Sequence, residues 1–119
     1  MASREAHGEP LRRIRHALEL WNVTGYVVWD DKPHIASFLA ELDRSGHTTR
    51  GITKQIADYV LDGGKVKEQD NPPGHKYSTD VFYYIILPIG DRKVFIKFVI
   101  FDEEKDPYIQ IVNIHSEIK

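Results

Sequence analysis

Two apolar runs of strand length, Val81–Ile89 and Arg92–Phe101, flank the dipeptide Gly90-Asp91. That arrangement constrains the fold more than any other feature of the chain. A two-residue linker with glycine first is the usual connection of a tight β-hairpin, because its turn demands a positive φ. If it is the whole loop, Ile89 faces Arg92, Tyr84 lies opposite Lys97, and Phe82 lies opposite Val99. A third run, 107–115, continues the sheet. If 102–106 is the whole second loop, Phe101 faces Pro107. Lys97 then falls opposite Ile111, Phe95 opposite Asn113 and Lys93 opposite His115.

The N-terminal half has helical periodicity instead. Leu11, Ile14, Leu18 and Trp21 recur at helical spacing within 9–21, with Arg12, Arg13, Arg15 and Glu19 on the other side. Residues 25–29 are strand formers and predict a short strand. Asp30-Asp31-Lys32-Pro33 is a helix start signal, with Asp as cap and proline in the first turn. Ile35, Phe38, Leu39 and Leu42 follow on one face, and Ser45-Gly46 ends that helix. Thr48 or Thr49 caps a third helix striped by Ile52, Ile56, Tyr59 and Val60 and stopped at Gly63-Gly64. A short strand is expected at 66–69 and an exposed loop around Asn71-Pro72-Pro73-Gly74.

The sequence therefore predicts one α+β domain over 1–119. It comprises an N-terminal helix in 1–22, a short strand and two helices in 23–64, and an antiparallel sheet in 65–119. The helices pack on one face of that sheet. Ile35, Phe38, Leu39, Ile56, Tyr59 and Val60 are expected to bury there. A chain of 119 residues buries enough surface to need no covalent staple. It contains no cysteine, which removes disulfides and thiol nucleophiles and fits a reducing, cytoplasmic setting. No run approaches the roughly 20 apolar residues of a membrane span, and residues 1–10 carry no hydrophobic signal segment.

Side-chain alternation gives the sheet two faces. One is nearly all apolar: Tyr83, Ile85, Ile96 and Phe98, continued by Tyr108, Gln110, Val112 and Ile114. The other carries Phe82, Tyr84, Lys93, Phe95 and Lys97, continued by Ile109, Ile111, Asn113 and His115. Taken singly, Lys97 is an ordinary solvent-facing lysine, His115 a polar strand end and Tyr84 a packing residue. Together on one face they match what metal-free RNA cleavage needs. Histidine transfers protons near neutral pH, lysine stabilises charge on the phosphate, and aromatic rings stack splayed bases. The 2′-OH serves as nucleophile, so no serine or cysteine is required. Lys97, His115 and Tyr84 are the candidate catalytic residues. Lys93, Asn113, His34, His75 and Lys76 are the candidate substrate contacts.

At these residues the chain resembles the small toxin ribonucleases of RelE/barnase-like architecture. Val94-Phe95-Ile96-Lys97-Phe98-Val99-Ile100 is similar to the apolar strand with an embedded lysine in the motility quorum-sensing regulator type of mRNA interferase. Ile111-Val112-Asn113-Ile114-His115-Ser116-Glu117 is similar to the closing strand of the same toxins, with His115 at the family's lysine position. His34 resembles the histidine that opens the first long helix of related toxin-like domains. The resemblance implies selective RNA cleavage without a cofactor and a cognate antitoxin as protein partner. It carries over Lys97 and His115.

One feature weighs the other way. The net charge is −2, whereas RNA binders are usually basic. A non-catalytic interaction module, such as an antitoxin or immunity protein docking through its sheet face or an edge strand, is the alternative. The six histidines show no close metal-ligand spacing, so no zinc site is expected.

Overall fold

The computed structural model describes residues 3–70, 81–101 and 106–116. Among them are three helices and one open six-stranded mixed sheet. His75, Lys76 and the loop around Pro72-Pro73 lie outside the described residues, as does Glu117.

The chain enters as a two-residue edge strand, β1 (Arg4–Glu5), then forms α1 (Gly8–Glu19). Ile14 and Leu18 of the predicted stripe are fully buried, joined by Ala17, whereas Leu11 and Trp21 are half-buried at its ends. Strand β2 (Val27–Trp29) leads into α2 (Pro33–Arg44). Proline opens α2, but the cap differs from expectation. Lys32 holds the cap position with no side-chain cap bond, while the Asp30 carboxylate accepts from the backbone N–H of Asp31 at 2.8 Å. Helix α3 (Thr49–Leu61) is capped by Thr48, whose Oγ1 accepts from Gly51 N–H at 3.0 Å. It ends where Gly63 takes φ 99°. A Cβ on Gly64 would meet the Tyr59 ring and carbonyl at 2.5 Å, so a side chain there has no room. Arg15 of α1 donates to the carbonyls of Val60 and Leu61 at 2.9 and 3.2 Å, a cation on the open C-terminal end of α3.

Strands β3 (Lys67–Asp70), β4 (Val81–Ile89), β5 (Arg92–Phe101) and β6 (Tyr108–Ser116) complete the sheet, in the order β1-β3-β4-β5-β6-β2. The β4–β5 hairpin has the expected register, with Ile89 opposite Arg92 and Tyr84 opposite Lys97. Gly90 turns at φ 64° and Asp91 does not enter the left-handed region, the sign pattern of a type II′ turn.

The sheet is not wholly antiparallel: β2 runs parallel to β6, pairing Val27 with Ile109 and Trp29 with Ile111. Its partner lies some 80 residues further along the chain, and side-chain periodicity carries no information about direction in so distant a pairing.

The second hairpin departs from its expected register in two steps. Phe101 faces Tyr108, because Pro107 has no N–H to offer the ladder. Then Lys97 faces Asn113 while Phe98 faces Ile111, leaving Val112 as an extra residue in a β-bulge. Below the bulge the faces are therefore exchanged: Ile109 and Ile111 join the main core, and Val112 packs on the opposite side with Phe82 and Val99. Above it the bulge restores the expected parity, so Ile114 enters the main core.

That core fills the space between the helices and one sheet face. Ile35, Ile56 and Val60 are buried in it, whereas Phe38, Leu39 and Tyr59 are only half-buried against it. Phe38 lies at the helix edge, where the guanidinium of Arg92 covers its ring at 5.7 Å. Tyr83 and Phe98 stack within the core at 5.9 Å.

Candidate nucleic-acid interface

The face of the sheet turned from the helices carries the candidate residues, and the bulge decides who meets whom. Lys97 of β5 stands opposite Asn113 of β6, and Phe95 stands opposite His115. The expected pairs of Lys97 with Ile111, Phe95 with Asn113 and Lys93 with His115 are thus replaced. Three polar residues, Lys97, Asn113 and His115, and the ring of Phe95 now occupy adjoining positions.

An aromatic ladder crosses the strands. Phe82 and Tyr84 are 6.4 Å apart, Tyr84 and Phe95 4.8 Å, and Phe95 and His115 4.8 Å with planes 16° from parallel. The Tyr84 hydroxyl donates to Ser3 Oγ at 3.0 Å, which ties the start of the chain to this face. The His115 ring is exposed, and its Nδ1 lies 2.9 Å from the Ser116 carbonyl. That oxygen can only accept, so Nδ1 carries the hydrogen and Nε2 is left to act.

Lys97 does not extend freely into water. Its ammonium sits 4.1 Å from the centroid of the Phe82 ring, a cation–π contact. Partial burial, and secondarily the charge of Lys32, hold its pKa below the ordinary lysine value. Lys32 reaches the same region from the start of α2, with Nζ 3.4 Å from the Val112 carbonyl and 3.7 Å from Asp30.

His34, in the first turn of α2, meets this face at β6. Its Nε2 lies 2.8 Å from Asn113 Oδ1. Lys93 is not part of the group. It is exposed opposite Pro88, four residues from Lys97 and so about 13 Å along the strand. Lys32 was missed by sequence reasoning because the Asp-Asp-Lys-Pro run reads fully as a helix start. Phe82 was legible as an aromatic on this face, though not as the seat of Lys97. Among the described residues, no group of three or more His, Asp or Glu side chains is arranged to hold a metal ion.

The face is not bare. Phe82, Val99 and Val112 are buried in a small second apolar cluster, with Tyr84 and Phe101 packed against it. These residues form an apolar floor beside the polar positions.

Comparison of the chain with family models, with curated proteins and with solved structures finds no match.

Proposed function

We propose that this face binds RNA and cleaves it by attack of the 2′-OH on the adjacent phosphate, as in the toxin-type ribonucleases of RelE/barnase-like architecture. The observation that carries the reading is the adjoining placement of Lys97, Asn113, Phe95 and His115. In this reading Lys97 stabilises negative charge on the phosphate. His115 moves a proton through Nε2. Tyr84 and Phe95 offer the aromatic surface on which a base beside the scissile bond rests, with Asn113 and His34 at the edge toward α2. The reaction ends in a 2′,3′-cyclic phosphate and a free 5′-OH. A chain with net charge −2 must then engage RNA through a local patch, which Lys32 and Lys97 supply. The natural protein partner is a cognate antitoxin that covers this face in the cytoplasm.

The test incubates purified protein with mixed-sequence RNA in EDTA, beside the Lys97→Ala/His115→Ala double variant. Cleavage by the wild type and a loss of about 10²-fold or more in the variant support the reading. No wild-type cleavage, or equal cleavage by both, favours a non-catalytic interaction module. The exposed Tyr108, packed beside Phe101, would then mark a surface for protein contact.

A further inference from the structure

Cleavage through the 2′-OH needs two proton transfers, one from the attacking oxygen and one to the leaving 5′ oxygen. His115 alone supplies one at a time. We propose that His34 is the second proton-transfer group, with Asn113 as the positioning residue that fixes which of its nitrogens is free. This inference rests on the ribonuclease reading above.

The chemistry of three atoms carries it. The backbone N–H of Ile114 points at the Asn113 side-chain atom 2.9 Å away. An N–H only donates, so that atom is the amide oxygen. The same oxygen lies 2.8 Å from His34 Nε2. Oδ1 cannot donate, so Nε2 carries the hydrogen and donates it. In the neutral ring Nδ1 is then unprotonated and holds the lone pair. His115 is anchored in the mirror sense: Nδ1–H donates to the Ser116 carbonyl, and Nε2 is free. Each imidazole is thus held by one N–H and presents the other nitrogen.

Their placement suits a shared substrate. Asn113, which holds His34, and His115 are two residues apart on β6, a rise of roughly 7 Å. The two rings are thus anchored at neighbouring positions of one strand. Lys97 stands opposite Asn113 on the neighbouring strand. His34 is exposed, so its free nitrogen is open to a ligand at this face. In the reaction one free imidazole nitrogen takes the 2′-OH proton as the 2′ oxygen bonds to phosphorus. The P–O5′ bond breaks, and the other imidazole, protonated beforehand, gives its proton to the departing 5′ oxygen.

The experiment compares His34→Ala and His115→Ala on two RNA substrates cut by the wild type. One has the natural linkage, and one has sulfur in place of the bridging 5′ oxygen at the cut bond. A thiolate leaves without a proton, so only the variant lacking the acid is rescued by sulfur. Each variant should lose about 10²-fold or more on the natural linkage, and one of the two, not both, should regain activity on the sulfur linkage. A second readout is the ¹⁵N spectrum of the imidazoles: His34 should be the Nε2–H tautomer in the wild type and a mixture in Asn113→Leu. Wild-type rates in His34→Ala, equal sulfur responses of the two variants, or an Nδ1–H tautomer at His34 would overturn the pairing. Absence of cleavage by the wild type would instead overturn the ribonuclease reading on which it rests.

Discussion

The imidazole of His115 lies on the ring of Phe95, centroids 4.8 Å apart and planes 16° from parallel. His115 is otherwise exposed, so this stack and the bond to the Ser116 carbonyl hold its orientation. Ring stacking contributes about 0.5–1.5 kcal/mol. Phe95→Leu should therefore slow cleavage roughly three- to tenfold, and Phe95→Tyr should retain the wild-type rate. Initial rates checked against circular dichroism separate this effect from loss of fold.

Lys97→Met should abolish most cleavage without lowering the thermal midpoint at pH 7. Burial and the charge of Lys32 depress the Lys97 pKa, so the folded state binds this proton less tightly than the unfolded chain. The penalty is present in full below the folded pKa. It is relieved as pH rises from that value toward the ordinary lysine value. Wild-type stability should therefore gain on Lys97→Met as pH rises through that window. Methionine still packs on Phe82, which offsets the lost cation–π contact. A midpoint several degrees lower in Lys97→Met at pH 7, or a gap between the two proteins that widens with pH in the variant's favour, would contradict this.

Lys32→Ala should weaken RNA binding evenly across sequences and reduce the slope of log affinity against log salt by about 1. Fluorescence anisotropy of a labelled RNA at several salt concentrations measures both. An unchanged slope would mean that Lys32 remains with Asp30 when RNA is bound.

Two phenylalanines should differ sharply in stability. Phe98 is 1% exposed at the centre of the core, and Phe98→Ala should cost about 3–5 kcal/mol. Phe38 is half-buried at the edge, and Phe38→Ala should cost clearly less. Urea unfolding of the two variants gives the comparison.

What was legible in the sequence follows the range over which each feature is encoded. The β4–β5 hairpin was readable residue by residue, because Gly90-Asp91 and the alternation beside it are local. The cap at Thr48, the proline in the first turn of α2 and the stops at Gly46 and Gly63 were readable for the same reason, whereas the expected Asp cap of α2 gave way to Lys32. The β5–β6 register was not. It turns on Pro107 dropping out of the ladder and on Val112 bulging, and a bulge leaves no mark in a run of β-branched residues. Asn113 and His115 still reached the expected face, since the one-residue slip is undone by the one-residue bulge. The pairing of His34 with Asn113 spans 79 residues and depends on β2 lying parallel beside β6. Nothing in either segment signals that arrangement. Lys32 was hidden by its neighbours, whose turn chemistry accounted for the whole motif.

The most direct measurement of the central claim is the chemistry of the ends left on cut RNA. RNA incubated with the wild-type protein in EDTA is analysed by mass spectrometry of the fragments. Attack by the 2′-OH, with Lys97 on the phosphate and imidazoles moving the protons, leaves 2′,3′-cyclic phosphate and 5′-hydroxyl ends. These should appear with wild type and fall about 10²-fold or more with His115→Ala. Intact RNA, or fragments ending in 3′-hydroxyl and 5′-phosphate, would contradict it.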